Sequence, residues 1–199
     1  MGNVIIISNV YIGHKNSKIK ELSDFIESNP SHTLVLNGDI FDQYAILKDR
    51  GKRYRYDHKE YVDKIRNLLK ERKTEVYYLI GDHDYLAFLL IPFSFLFGIK
   101  FRKRIQIHKY LIEHGNWIKF YLKVRKIFNS KIEIYDDYFK NCLALGNFHK
   151  TDFIVGHDHL PVKSGSGWRT VYNGGDWINH KSSYIFLNDI WEPKILFYE

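Results

Sequence analysis

The sequence predicts an α/β fold, and two observations carry that prediction. Apolar runs of strand length alternate with amphipathic helical patterns over residues 4–80. Each of those runs ends in a short polar loop built from Asp, Asn, Gly or His. Strand–helix–strand order is the pattern of parallel layers. In such sheets ligands bind beyond the carboxyl ends of the strands, so successive polar loops read as parts of one site.

The elements follow in order. Val4 to Ser8 is a first strand built on the apolar run Val4-Ile5-Ile6-Ile7, and Asn9 to Asn16 is a polar loop. Ile19, Leu22, Phe25 and Ile26 recur at helical spacing, which predicts a helix over Ser17 to Ser28 that Pro30 stops. Thr33 to Leu36 is a second buried strand, leading into Asn37-Gly38-Asp39. Lys48 to Arg55 is dense in Lys and Arg and reads as an exposed loop. Tyr61 to Lys73 is an amphipathic helix, and Glu75 to Ile80 is a third strand entering Gly81-Asp82-His83-Asp84. Tyr85 to Ile99 is apolar and Lys100 to Arg104 basic. Ile105 to Glu113 holds one or two strands ending at His114-Gly115. Trp117 to Phe128 and Ile132 to Phe148 read as helices. Thr151 to Val155 is a strand running into Gly156-His157-Asp158-His159. Arg169–Tyr172, Tyr184–Leu187 and Lys194–Tyr198 complete the strands, separated by Gly, Ser, Asn and Pro. No repeat or linker divides the chain, so residues 1–199 are expected to form one domain, with a lid-like insert around 85–104.

Composition narrows the function classes. The chain has 199 residues, 45% of them apolar and 27% charged, which excludes wholesale disorder. A single cysteine excludes an internal disulfide framework and any multi-cysteine zinc cluster. The net charge of +7 favours anionic partners, though ordinary surface charge accounts for it equally well. The apolar run after Met1 is too short for a leader, and Pro92 interrupts the apolar stretch 85–99, itself too short to span a bilayer. A cytoplasmic location is the expectation.

The chemistry sits at the strand ends. Asp39 and Asp42, then Asp82, His83 and Asp84, then His114, then His157 and His159, each follow a strand and lie beside a glycine. A lone histidine after a strand is usually hydrogen-bonded to backbone. Several together, mixed with carboxylates, form the ligand set that suits Mn, Fe or Zn.

These residues resemble the motifs of the calcineurin-like metallophosphoesterases, which run Asp-x-His, Gly-Asp-x-x-Asp, Gly-Asn-His-Asp, His-Gly, Gly-His-x-His. Gly38–Asp42, Gly81–Asp84, His114-Gly115 and Gly156–His159 stand in four of those five places, in order. The tail Tyr172-Asn173-Gly174-Gly175-Asp176-Trp177 is similar to the Tyr-x-Asn-x-Gly-Ser-Trp segment of the branch containing UDP-2,3-diacylglucosamine hydrolase. The resemblance implies a four-layer αββα sandwich of two mixed sheets, with a dinuclear metal site. It implies hydrolysis of a phosphate monoester, diester or nucleotide pyrophosphate.

The departures fall on the first motif. Asn9 and Tyr11 stand where the family has Asp and His, and Asp82 where it has Asn. Carried over, site one would use Asn9, Tyr11, Asp39 and His159, and site two Asp39, Asp82, His114 and His157. Two carboxylates and two imidazoles make site two neutral around a divalent ion. An amide and a phenol are weak ligands, since a phenol must lose a proton with a pKa of about 10. The expectation is therefore one firmly bound transition ion, Mn first and Zn or Fe next, and reduced activity. His14, near Tyr11, is a substitute ligand or a solvated loop residue. His83 resembles the family's donor to the leaving oxygen, with Asp84 as the group that orients it. The alternative is a catalytically inert binding module.

Two segments bear on partners. The apolar stretch with Lys100, Arg102, Lys103 and Arg104 suits an anionic membrane surface, a buried helix or a homo-oligomer contact. Lys48 to Tyr56, with Arg53 and Arg55, alternates basic and aromatic residues, which suits phosphate or nucleic-acid contact or simple solvation.

Overall fold

A computed structural model describes residues 2–84, 86–87, 98–116, 118, 140–142, 151–166, 169–178 and 181–198. The strands are β1 (Val4–Ile7), β2 (Thr33–Asn37), β3 (Glu75–Leu79), β4 (Ile99–Arg102), β5 (Arg104–Ile107), β6 (Tyr110–Glu113), β7 (Asp152–Val155), β8 (Pro161–Ser166), β9 (Arg169–Gly174), β10 (Ser183–Leu187) and β11 (Pro193–Phe197). The helices are α1 (Ile19–Ser28), α2 (Gln43–Lys48) and α3 (Lys59–Glu71), the last entered through a π-helical turn at Tyr54–His58.

The strands form two mixed sheets. One has the order β11-β10-β1-β2-β3-β4 and the other β5-β6-β7-β9-β8. Strands β1 to β4 run parallel, as do β6, β7 and β9, while β10, β11, β5 and β8 pair antiparallel at the flanks.

The wholly apolar β1 is explained by burial on both faces, because side chains alternate along a strand. Ile5 and Ile7 join Leu34, Tyr78 and the α1 residues Ile19, Leu22, Phe25 and Ile26 in one cluster. Val4 and Ile6 join Val35, Leu79, Ile112, Ile154, Tyr172 and Ile185 in another, which lies between the sheets. Helix α3 packs its Tyr61, Val62, Ile65 and Leu69 on the first cluster. The order is helices, sheet, sheet. The helices expected over 117–128 and 132–148 lie almost wholly outside the described residues.

Three local expectations differ from what forms. Residues 48–55 are not a plain loop, because the Asp42 carboxylate accepts from the Ala45 N–H and starts α2. Arg50 and Gly51 then take positive φ, and the chain resumes as the π-helical turn and α3. In the 85–104 stretch, residues 99–102 are strand β4, paired with β3, while 85 and 88–97, where the lid-like insert was expected, lie outside the described residues. Strand β8 was concealed by Pro161 and Gly165. It is an edge strand, where a missing N–H and side-chain-poor positions are tolerated.

A candidate metal centre at the carboxyl ends of both sheets

The six central parallel strands end at one place. Loops after β1, β2, β3, β6, β7 and β9 carry Asn9 and Tyr11, Asp39, Asp82 and His83, His114, His157 and His159, and Asp176. Backbone hydrogen bonds lock these loops together. Asn9 N–H donates to Gly38 O, Tyr11 N–H to Asp39 O, His157 N–H to His114 O, and Trp177 N–H to Asn9 O. Of the eight non-glycine residues with positive φ among those described, Asn9, Tyr11, Asp39 and His159 are here. Left-handed backbone is uncommon for a residue as bulky as tyrosine, and it concentrates where surrounding structure over-determines the chain. Two motif glycines have a steric reason: a Cβ at Gly38 would overlap the His114 ring, and one at Gly81 would overlap the Asp39 carboxylate.

Asp39, Asp82, His114 and His157 converge, with one ligand atom from each lying within 4.8 Å of the others. His114 Nε2 is 3.2 Å from Asp39 Oδ2 and 3.4 Å from Asp82 Oδ1, and His157 Nδ1 is 3.2 Å from Asp82 Oδ1. Donors at ~2.1 Å from one ion lie about 3–4 Å apart, the spacing of these three pairs, so the group is close to the geometry of a divalent-cation site. His114 Nδ1 donates to the Asn37 carbonyl at 2.9 Å, which aims Nε2 at the centre. Burial disfavours a charged His114, but its bonds to Asp39 and Asp82 outweigh that and lift its pKa to about 10. The hydrogen bonds of His114 and His157 hold Asp82 far below the usual carboxylate range. Burial opposes ionisation of Asp39 too, but His114 and the His83 N–H leave it lowered.

The other half is filled differently. The Tyr11 hydroxyl donates to Asp39 Oδ2 at 2.8 Å and lies 3.0 Å from His159 Nε2. Burial and the neighbouring Asp39 charge raise the Tyr11 pKa well above that of a free phenol, so without a metal the hydroxyl keeps its proton and donates it to Asp39. The Asn9 amide nitrogen donates to Gly156 O at 2.6 Å and Gly175 O at 3.0 Å. His159 is thus turned to Tyr11 rather than grouped with the four converging ligands. His14 accepts from the Asn16 N–H through its own ring nitrogen.

His83 lies at the mouth, 43% exposed, with Nδ1 3.8 Å from Asp42 Oδ1. Its ring meets Tyr11 edge-on at 4.8 Å. Asp84 does not face it. That carboxylate is fully buried and accepts from Tyr78 O–H, Ile40 N–H and Gly81 N–H, tying the second and third loops together. The carboxylate beside His83 is Asp42.

The basic candidates are dispersed. Lys100 pairs with Glu75, the first residue of β3, at the end of the sheet opposite the centre. Arg102 donates to the carbonyl of Phe101, Arg53 is 3.9 Å from Asp49, and Arg55 donates to Arg50 O. Among the described residues no helix is long and apolar enough to cross a membrane. Sequence reasoning missed Asp176, buried against His159. The one signal was an acid where the resembled branch carries serine.

Known structures share this architecture at low identity. An archaeal phosphodiesterase matches with 14% identity and a TM-score of 0.52, covering 98% of this chain and 99% of its own. Zinc-bound Vps29 of Entamoeba histolytica matches with 13% identity and a TM-score of 0.54, covering 99% of both chains. YfcE, a phosphoesterase from E. coli, matches with 14% identity and a TM-score of 0.50, covering 99% of this chain and all of its own. No curated protein matches the sequence. The model of the calcineurin-like phosphoesterase family matches residues 4–195, and the chain belongs to that family.

Proposed function

We propose that the protein is a metal-dependent phosphoesterase working with one divalent transition ion, Mn first among the candidates. The observation that carries this reading is the convergence of Asp39, Asp82, His114 and His157 at the carboxyl ends of both sheets. A divalent ion held there supplies charge to a phosphoryl oxygen and acidifies a water. The remaining work falls to the chain. His83, exposed beside the centre, donates a proton to the departing oxygen, with Asp42 biasing its ring. Asp84 acts only by fixing the Gly81–His83 loop. One cation would supply half the positive charge of a pair to the reacting phosphate, so turnover slower than that of a two-ion centre is the expectation.

The test is hydrolysis of chromogenic phosphate monoesters, diesters and a nucleotide pyrophosphate with Mn, Co, Ni and Zn, in the intact chain and in Asp39→Ala. Metal-dependent turnover that disappears in the variant supports the reading. No turnover with any metal removes it.

A second reading is a binding module. One observation favours it: Tyr44, Leu47 and Tyr56 are 72%, 65% and 82% exposed along the partly basic stretch that follows Asp42 in the chain. It predicts a complex that survives chelation.

A further inference from the structure

Asp176 is completely buried and its Oδ2 lies 2.9 Å from His159 Nδ1. The opposite nitrogen, Nε2, lies 3.0 Å from the Tyr11 hydroxyl, which donates to Asp39 Oδ2 at 2.8 Å. Four side chains, from the loops after β9, β7, β1 and β2, thus stand in one line, each within hydrogen-bonding distance of the next. We propose that Tyr11, positioned by His159 and Asp176, stands in for a first cation and makes the centre mononuclear by construction.

Three observations support the substitution. An ion shared by His159 Nε2 and Asp39 Oδ2 would sit ~2.1 Å from both. The phenol oxygen already lies between those two atoms, at hydrogen-bonding distance from each. A carboxylate behind an imidazole is the usual support for a metal-ligating histidine, and here the supported ring presents its free edge to a hydroxyl. Next, the amide hydrogens of Asn9 serve the carbonyls of Gly156 and Gly175, which leaves a neutral Oδ1 where the family has a carboxylate, a weaker ligand without charge. Finally, Tyr11 cannot swing aside cheaply. It is 7% exposed, holds φ at 53°, and its N–H is bonded to Asp39 O. With the phenol between Asp39 and His159 and only a neutral amide oxygen beside them, the residues of site one do not fit a firmly held cation, and the replacement is built from Tyr11, His159 and Asp176 together.

Asp176 and Tyr11 are positioning residues in this account, so the readout is the state of His159. The proposal rests on the one-ion reading only for the neighbouring ligands, and the experiment separates the two. The full chain is labelled with ring-15N histidine, the His159 signals are assigned with His159→Gln, and zinc chloride is titrated in while zinc per chain is counted. The expected result is one zinc per chain, with the His114 and His157 ring signals moved and those of His159 unmoved. Tyr11→Phe should shift the His159 Nε2 signal without zinc. Two zinc ions per chain, or a His159 Nε2 signal displaced by zinc as metal ligation requires, overturns the proposal and leaves the hydrolase reading standing. No zinc bound, with the Tyr11→Phe shift present, supports the hydrogen-bonded line and removes the one-ion reading. An unshifted His159 in folded Tyr11→Phe overturns the line itself. If that variant does not fold, the intact chain's zinc count and His159 signals decide.

Discussion

Replacing Asn9 by Asp together with Tyr11 by His rebuilds the ligands that the first loop lacks. In the metal-free protein the new carboxylate faces the carbonyl oxygens of Gly156 and Gly175, now 2.6 and 3.0 Å from an amide nitrogen. Two buried hydrogen bonds become two repulsions, and the Tyr11–Asp39 bond is lost as well. At about 1 kcal/mol net for each bond lost, plus the cost of unpaired buried groups, the metal-free variant should be about 4 kcal/mol less stable. For a chain of this size that lowers Tm by roughly 10 °C. Metal bound to the folded state recovers about 4 kcal/mol at a thousandfold excess over Kd. Calorimetry with and without MnCl2 reads both numbers. Metal content should rise from one toward two per chain, and hydrolysis by on the order of 10²-fold, which is about 2.7 kcal/mol of transition-state stabilisation. A folded double variant with unchanged metal-free Tm and one ion per chain would refute the reasoning, because neither the amide nor the phenol would then be what shapes site one.

Other consequences follow from single residues. His114 has its folded pKa raised to about 10 from an unfolded value of about 6.5, so its contribution to metal-free stability is complete below pH ~6.5 and lost as pH rises through ~10. An ion must displace that proton, so near pH 7.5 zinc binding should release protons, read by titration calorimetry in two buffers of different ionisation enthalpy. Asp84→Asn should cost about 2–3 kcal/mol of stability, since Tyr78, Ile40 and Gly81 lose a charged acceptor, while zinc stoichiometry stays the same. If the stretch around Arg53 and Arg55 contacts nucleic acid, single-strand affinity measured by fluorescence anisotropy should fall steeply with salt, and Arg53→Ala with Arg55→Ala should flatten that slope.

The convergence of Asp39, Asp82, His114 and His157 was legible in the sequence because each sits next to a glycine at the mouth of a strand with a recognisable apolar run. The two-sheet division was legible only through the motif order, since the strands of both sheets look alike as short apolar segments. Strand β4 was hidden because its Lys100 and Arg102 face outward on an edge, and a basic composition masks period-two alternation. Asp84 was misplaced for a physical reason. Adjacent residues in a turn point apart, so His83 faces the mouth while Asp84 is fully buried with the second loop. Asp176 was illegible because its partner, His159, is 17 residues away and nothing local marks an acid after Gly-Gly as buried. Asn9 and Tyr11 were recognised as departures, but only the packing reveals that the phenol bridges Asp39 and His159.

The central claim is a centre that takes one ion. Crystals soaked in MnCl2 and measured for anomalous scattering at the manganese edge test it most directly. The account predicts one strong peak per chain, bounded by Asp39, Asp82, His114 and His157, with the Tyr11 hydroxyl still between Asp39 and His159. A second peak of comparable height against His159 Nε2, with Tyr11 displaced, would contradict it.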